Sequence, residues 1–219
     1  LGLPRETDSS WLDALMEGIN RCATKYGAPI LGGDTKENSN PTISGVAIGR
    51  VAKQSILKRS GARPGDVLAM TGKLGRGVVW ESDVLDASKL LLVEPRVKEG
   101  RMLARSGAVT SCIDISDGLS TCLHLMAKAS EIGFLVSEEE IPMEPGLDQA
   151  QREKALHWGG DFELLFTVRP DMADELFSSM NGITRIGKVT EGNSIQLEKD
   201  GSVRKLEDLG YEHFGRGTW

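Results

Sequence analysis

The amino-acid sequence predicts an α+β fold built in two parts. Segments with helical and strand-like patterns of apolar residues follow one another without strict β-α-β alternation. The chain of 219 residues is 39% hydrophobic and 26% charged, so it can bury a core and lies outside the range of disordered proteins. A basic, turn-forming segment, Lys58–Asp66, interrupts the pattern and marks a domain boundary. We therefore expect a first part over residues 1–51 and a second part over residues 52–219.

The first part begins with a predicted amphipathic helix over about residues 10–26. Asp8 and the two serines after it offer an N-cap, and apolar residues then recur at helical spacing. A short apolar strand at residues 29–31 leads into the loop Gly32–Thr35. Residues 42–51 are rich in β-forming side chains and predict a second strand.

The second part contains a longer series of strands and helices. Its apolar patterns predict strands at residues 67–71, 108–115, 133–137, 163–168, 184–189 and 194–198. Helices are predicted at residues 97–105, from residue 119 onward, at 147–155 and at 171–180. The glycines of Gly72–Gly77 favour a strand-to-helix turn over a ligand-binding loop, and Glu138–Glu140 favours a solvated charged surface.

Composition and charge exclude several classes of protein. The net charge of −6 lacks the basic field that drives sequence-independent binding of nucleic acids, so no nucleic-acid partner is expected. The apolar runs are short and interrupted by charges, so neither a membrane span nor a signal peptide is predicted. The three cysteines have no Cys-x-x-Cys spacing, which argues against a disulfide framework or a zinc site. We expect a protein of the reducing cytoplasm.

The common signatures of nucleotide binding and nucleophilic catalysis are also missing. Gly72–Gly77 lacks the Gly-Lys-Ser/Thr end of a P-loop and does not fit the Gly-x-Gly-x-x-Gly pattern of dinucleotide-binding folds. His124, His157 and His213 have no spacing typical of metal ligands or of a catalytic triad. Covalent catalysis by a Ser-His or Cys-His pair is therefore not predicted.

Three aspartates carry the strongest chemical signal. Asp34, Asp114 and Asp117 each lie where a predicted apolar strand runs out into a turn, a position that places a carboxylate at the edge of a sheet. Mg²⁺ binds through one or two protein carboxylates together with water and substrate phosphates, so such sparse acids suit a metal–phosphate site. The structural alternative has equal weight: Asp117 or Ser116 could cap the following helix, and Asp34 could stabilise an Asx-turn.

Six short motifs follow one another along the chain: Gly32–Thr35, Arg59–Asp66, Thr71–Gly75, Ile113–Leu119, Gly160–Leu164 and Gly210–Phe214. In this order they resemble the thiamine-monophosphate kinase family, which belongs to the superfamily of aminoimidazole ribonucleotide synthetase and selenophosphate synthetase. The resemblance implies a two-domain synthetase-like fold: a C-terminal α/β sandwich domain over residues 52–219, preceded by the trailing part of an N-terminal α/β domain for ATP binding and dimerisation.

The resemblance also implies an activity and a set of site residues. ATP would phosphorylate thiamine monophosphate with the help of Mg²⁺ in a homodimer formed through the N-terminal domain. Asp34, Asp114 and Asp117 would bind the metal, and Asp34, Arg59 and Ser116 would contact ATP. Gly160, Asp161 and Tyr211 would lie on the side of the thiamine substrate. No residue beyond the metal ligands is expected to act as a catalyst, because phosphoryl transfer depends mainly on positioning and charge neutralisation.

Two departures from the family pattern qualify this interpretation. Gly160 stands where family members carry a substrate-contacting glutamate, so either Asp161 or Glu163 supplies that contact or the substrate differs. The stretch Leu1–Pro4 resembles the middle of the N-terminal domain, so acidic ligands are expected upstream, and a partial domain would expose an unpaired sheet edge. The alternatives are another ATP-dependent synthetase of this superfamily and a non-catalytic Mg-nucleotide-binding domain.

Overall fold

A computed structural model describes residues 1–81 and 92–210 of the chain. It contains two compact units, Leu1–Val51 and Ala52–Trp219.

The first unit is a small assembly with almost no core of its own. Strands β1 (Gly2–Leu3) and β2 (Lys36–Glu37) pair in parallel, and helix α1 (Ser9–Lys25) connects them. The side chain of Asp8 caps α1 by accepting a hydrogen bond from the backbone N–H of Ser10 at 2.6 Å. Leu3 is the only buried residue of residues 1–51, all of which the structure describes. This unit therefore depends little on burial of its own apolar side chains.

The strands predicted at residues 29–31 and 42–51 do not form in this unit. Apart from a single bridge between Gly2 and Thr42, these segments have no strand pairing. A strand needs a neighbour to satisfy its N–H and C=O groups, and apolar propensity alone does not supply one. Leu31, Val46 and Ile48 are instead 86–87% exposed. The prediction of strands here was wrong for the described chain, although the apolar pattern that led to it is real.

The second unit is built on one seven-stranded sheet with the order β4-β6-β3-β7-β5-β8-β9. All neighbouring strands are antiparallel except β5 and β8, which are parallel. The strands are β3 (Val67–Thr71), β4 (Val109–Ile115), β5 (Gly133–Ser137), β6 (Glu163–Val168), β7 (Ile183–Thr190), β8 (Ile195–Lys199) and β9 (Ser202–Lys205). The helices are α2 (Arg76–Glu81), α3 (Val97–Ser106), α4 (Leu119–Ser130), α5 (Gln149–His157) and α6 (Pro170–Ser179).

Helices cover both faces of this sheet, and side chains alternate between two cores. Along β6, Leu165 packs in the larger core, whereas Phe166 packs in the smaller one. The larger core contains apolar residues of α4 and α5, and the smaller one contains Leu103 of α3 and Leu176 of α6. The predicted α+β class, with helices packed against a sheet in the second part, is confirmed.

Most elements predicted for the second part form within one or two residues of their expected bounds. Strand β9, which carries only exposed side chains, was not predicted, because it has no apolar face to produce a period of two. Glu138 was expected to be solvated, but its side chain is 13% exposed and pairs with Lys199 at 2.6 Å and with Arg204 at 3.4 Å. Among the described residues, no helix combines the length and the apolar character needed to cross a membrane.

Candidate functional site

The carboxylate turn, defined here as residues Asp114–Gly118, lies where edge strand β4 ends and α4 begins. Asp114 and Asp117 are both exposed, and the Ser116 hydroxyl donates to Asp117 Oδ2 at 3.2 Å. Helix α4 has no side-chain cap, because its N-cap residue is Gly118. The capping alternative for Ser116 and Asp117 is therefore not what the structure contains. Two exposed carboxylates and the half-buried Ser116 thus lie at one end of the sheet.

Gly118 lets the carboxylate turn approach the end of α5. Its φ is +101°, and a Cβ atom at this position would lie 2.4 Å from the backbone oxygen of His157. A residue with a side chain would thus suffer both a strained backbone and a steric clash. The His157 ring is held nearby, because its Nδ1 lies 2.9 Å from the Ser120 hydroxyl. This contact fixes the start of α4 against the end of α5, just before the segment that connects α5 to β6.

Backbone hydrogen bonds hold that connecting segment, residues 158–162, to the carboxylate turn. The N–H of Gly160 donates to the Ser116 carbonyl at 2.9 Å, and the N–H of Phe162 donates to the Ile115 carbonyl at 2.8 Å. Gly160 has a φ of +94°, and within the described chain no atom beyond its two sequence neighbours lies within 4 Å of the place where its Cβ would be. The structure therefore brings Gly160 next to Ser116, and the described residues leave open space at the position where the family pattern has an acid.

Asp161 lies inside the protein and holds the loop after β3. Its Oδ1 accepts hydrogen bonds from the N–H groups of Gly75 and Arg76, at 3.0 and 2.9 Å. The residue is 2% exposed, and burial raises the pKa of its carboxyl group to about 7, against the lowering effect of these two N–H donors. Within the described part of the chain, its Oδ2 is buried and has no hydrogen-bond partner. The Asp161 side chain is therefore a clamp on the loop.

Glu163 is likewise withdrawn from solvent, at 2% exposed. The Arg96 guanidinium donates to it twice, from Nε to Oε2 at 2.6 Å and from Nη2 to Oε1 at 2.5 Å. The Thr71 hydroxyl donates to Oε2 at 2.5 Å and accepts from the N–H of Leu164 at 2.9 Å. A Cβ on Gly72 would lie 2.0 Å from this carboxylate, so the loop packs directly on it. Both carboxylates are buried and accept hydrogen bonds from the protein itself, so neither is exposed beside Gly160. The expectation that Asp161 or Glu163 replaces the missing acid stays a prediction.

Arg59 lies in the exposed segment before β3 that the sequence marked as a boundary. Asp66 anchors this segment: its Oδ2 accepts from the N–H of Arg63 at 2.9 Å and from the Thr110 hydroxyl at 2.7 Å. The Cys112 N–H donates to the Lys58 carbonyl at 2.7 Å, which ties the segment to β4. The Arg59 side chain is thus carried on a segment bound to the strand that ends in the carboxylate turn.

Asp34 belongs to the first unit and is 73% exposed at its side chain. Its Oδ1 accepts from the N–H of Thr35 at 2.9 Å, and its Oδ2 lies 3.3 Å from Lys36 Nζ. No strand precedes it, so the prediction that it ends a strand was wrong, whereas a local turn contact is present. Asp34 belongs to the first unit, whereas Asp114 and Asp117 belong to the second. Among the residues that it describes, it contains no cluster of three or more potential metal ligands.

Tyr211 lies outside the described residues. The chain before it is fixed beside the carboxylate turn, since Thr121 Oγ1 donates to Asp208 Oδ1 at 2.7 Å. A Cβ on Gly210 would lie 2.7 Å from the Asp117 carbonyl. The described chain thus ends against Asp117.

Sequence reasoning missed Arg96, Thr71 and Phe162. The ion pair between Arg96 and Glu163 joins residues 67 positions apart, and no local periodicity in the sequence indicates such a contact. Phe162 lies between two acids, Asp161 and Glu163. This pattern indicates an exposed aromatic side chain only when the two acids are known to point inward. Nothing in the spacing distinguished buried carboxylates from exposed ones.

Comparisons with known proteins were consistent along the whole chain. The family model "AIR synthase related protein, N-terminal domain" matches residues 1–51, and "AIR synthase related protein, C-terminal domain" matches residues 63–200. The thiamine-monophosphate kinase of Pyrococcus horikoshii is 34% identical over 228 residues, an alignment covering 100% of this chain and 72% of that protein.

Solved structures share the fold. The crystal structure of thiamine-monophosphate kinase from Stenotrophomonas maltophilia K279a has a TM-score of 0.75 and 24% identity, covering 92% of this chain and 71% of that one. A structure described as AaThiL complexed with AMPPCP and TMP has a TM-score of 0.72 and 24% identity, covering 97% of this chain and 71% of that one. The chain belongs to the thiamine-monophosphate kinase family, because it is 34% identical to the Pyrococcus protein over an alignment that covers 100% of this chain.

Proposed function

We propose that the protein transfers the γ-phosphoryl group of ATP to the phosphate of thiamine monophosphate, which yields thiamine diphosphate and ADP. The observation that carries the proposal is the 34% identity to a thiamine-monophosphate kinase across the entire chain. The related structure described with AMPPCP and TMP supports the same pair of substrates, an ATP analogue and thiamine monophosphate. The exposed carboxylate turn supplies the chemistry that such a reaction needs.

Asp114 and Asp117 fit a site for Mg²⁺ held against phosphates. Both carboxylates are exposed at one turn, and the Ser116 hydroxyl lies between them in sequence. Carboxylate oxygens in small number are the protein ligands that Mg²⁺ takes when substrate phosphates complete its octahedron. When bound, Mg²⁺ would neutralise charge on the transferred phosphoryl group. Asp34 of the first unit is proposed as a further ligand and as an ATP contact.

Arg59 and Ser116 are proposed to contact ATP, and Gly160 and Tyr211 to lie on the acceptor side. A guanidinium donates in a fork that matches phosphate oxygens, and Arg59 is exposed on a segment tied to β4. The open space at Gly160 can receive substrate beside Ser116. Asp161 serves this site indirectly, because its Oδ1 holds the Gly75–Arg76 backbone in place.

The reaction needs no base in this site. The bond between the γ-phosphorus and its bridging oxygen to the β-phosphate breaks, and an oxygen of the acceptor phosphate forms the new bond. A phosphate monoester has a second pKa near 6, so its oxygens are already ionised at neutral pH. The residues named here therefore bind, orient and neutralise charge.

We also propose that the protein is cytoplasmic and pairs with a second copy through its first unit. Cys22 is an exposed free thiol, which suits a reducing compartment. Val46 and Ile48 are 86% and 87% exposed in a segment with strand-like composition and no described partner strand. Alternating apolar residues of this kind are covered when another strand or chain packs on them.

The test is to incubate the full-length protein with Mg²⁺, ATP and thiamine monophosphate and to separate the thiamine phosphates by chromatography. We expect thiamine diphosphate and ADP in equal amounts, with no product when Mg²⁺ is chelated. Nucleotide binding without any thiamine diphosphate would instead support a non-catalytic Mg-nucleotide-binding protein.

A further inference from the structure

Phe162 combines two properties that are unfavourable for a folded protein. Its φ is +55°, in the left-handed region that residues with a side chain seldom adopt, and the residue is 44% exposed. Asn, Asp or Gly would tolerate this backbone better, and none of them would expose an apolar ring. A strained residue with an exposed aromatic side chain is most readily explained by a use for that side chain.

Contacts on both sides hold Phe162 in this conformation. Asp161 is fixed to the N–H groups of Gly75 and Arg76, and Glu163 is fixed by Arg96. The N–H of Phe162 itself donates to the Ile115 carbonyl at 2.8 Å. With both neighbours buried and clamped, the residue between them cannot relax without breaking these contacts. The protein thus bears the strain at a fixed position.

That position adjoins the carboxylate turn. The N–H of Phe162 bonds to the residue just before Ser116, and Gly160, two residues earlier, bonds to Ser116 itself. In the register of β4 and β6, Asp114 pairs with Leu164, two residues after Phe162. The backbone that carries the exposed ring therefore lies next to the carboxylate turn proposed for the metal and next to Gly160.

We propose that Phe162 is a substrate-contacting residue, whose ring stacks on a heteroaromatic ring of the phosphate acceptor. The inference rests on the proposed function, since thiamine monophosphate carries a cationic thiazolium ring and an aminopyrimidine ring. An aromatic face attracts both a cation and another flat ring. The contact binds the part of the acceptor remote from the phosphate, so it strengthens acceptor binding and leaves ATP binding unchanged.

The substitutions that test this are Phe162→Asn and Phe162→Tyr. Asn tolerates left-handed backbone, so it removes the ring without adding strain, whereas Tyr keeps an aromatic face. For Asn we expect the KM for thiamine monophosphate to rise about 10- to 100-fold. The KM for ATP should stay within about twofold and kcat should change little, because the contact is made equally in ground state and transition state. Tyr should stay within about threefold of the parent protein.

The matched control is Val203→Asn, which places the same residue at a 53% exposed apolar position on β9. It should leave all kinetic constants unchanged. Thermal melting of Phe162→Asn should give a midpoint within about 2 °C of the parent or above it, as expected for relief of strain.

Several results would overturn the proposal. One is an unchanged KM for thiamine monophosphate in Phe162→Asn; another is an equal rise in KM for both substrates. A changed oligomeric state with unchanged KM would assign the ring to a protein interface instead. Calorimetric titration of thiamine monophosphate into the parent protein and into Phe162→Asn distinguishes failure of the role of Phe162 from failure of the proposed function. If the parent is active and Phe162→Asn binds thiamine monophosphate equally well, only the role of Phe162 is refuted. If the parent neither binds nor converts thiamine monophosphate, the proposed function is refuted as well.

Discussion

The guanidinium of Arg96 and the carboxylate of Glu163 form two parallel hydrogen bonds of 2.5 and 2.6 Å at the first residue of β6. Glu163 is 2% exposed at its side chain and Arg96 is 24% exposed, so the pair is largely removed from water. Hydrogen bonding to Glu163 is the main cause that raises the pKa of Arg96 above its usual value. The pair joins the start of α3 to the start of β6, next to the candidate site.

Replacing Arg96 with Met leaves the Glu163 carboxylate buried without its cation. We expect the free energy of unfolding to fall by roughly 3–5 kcal/mol, as measured when one partner of a buried pair is removed. Urea denaturation at neutral pH measures this change. The double substitution Arg96→Met with Glu163→Gln should recover part of the loss, because no charge is then buried.

Arg204→Met is the control for this experiment. Arg204 also bonds Glu153 through two nitrogens, at 2.6 and 2.9 Å, but its side chain is 46% exposed. A pair open to solvent contributes about 1 kcal/mol or less. Equal losses from Arg96→Met and Arg204→Met would contradict the importance of burial at Glu163.

The raised pKa of Asp161 predicts that the stability of the protein depends on pH. Its pKa is raised from 3.8 to about 7 in the folded protein, mainly by burial. Between these values the folded state holds a proton that the unfolded state has lost, so this group makes stability fall as the pH rises from about 4 to about 7. Asp161→Asn keeps an oxygen for Gly75 and Arg76 but cannot ionise. We expect the variant to gain stability relative to the parent across this interval, by roughly 2–4 kcal/mol.

Unfolding by urea at pH 4.5 and pH 7.5 checks this prediction. At pH 4.5 the parent and Asp161→Asn should have similar stability, and at pH 7.5 the variant should be the more stable protein. A constant difference between the two proteins at both pH values would show that Asp161 does not titrate in this interval.

Gly118→Ala tests the close approach between the carboxylate turn and α5. The added Cβ would lie 2.4 Å from the His157 carbonyl oxygen, in addition to the strain of a φ of +101°. Gly107→Ala is the matched control, because Gly107 has a φ of +67° and, among the residues the structure describes, none beyond its sequence neighbours has an atom within 4 Å of the new Cβ. We expect a loss of about 1 kcal/mol for Gly107→Ala and a loss at least twice as large for Gly118→Ala, measured by thermal unfolding. Similar losses would mean that the clash is relieved by small shifts.

The sequence predicted the second unit well because its elements have strong local signals. Strand β3 has an uninterrupted apolar run, and α4 has an apolar stripe at helical spacing, so burial and period agree. The segment at residues 42–51 has the same strand-like composition and yet forms no strand, because strand formation depends on a partner that composition does not reveal. A local sequence pattern indicates strand propensity, but a strand forms only where a partner strand is available.

The candidate site was predictable only in part, for a related reason. Asp114 is the last but one residue of β4 and Asp117 comes two residues after its end, and these positions correctly indicated exposed carboxylates where the strand ends. Asp161 and Glu163 look equally acidic in the sequence, but both point inward. Gly75 and Arg76 donate to Oδ1 of Asp161, and Arg96 and Thr71 donate to Glu163. These partners are distant in sequence, so the direction of each side chain emerged only from the folded structure.

Transfer of a labelled phosphoryl group tests the central claim most directly. The full-length protein is incubated with Mg²⁺, thiamine monophosphate and ATP labelled at the γ-phosphate, alongside Asp117→Asn and the control Asp171→Asn, a change of the same kind at an exposed aspartate of α6. We expect the label in thiamine diphosphate for the parent and for Asp171→Asn, and a loss of at least about 100-fold for Asp117→Asn with its fold intact. Label found only in inorganic phosphate, or transfer that is unaffected by Asp117→Asn, would contradict the account.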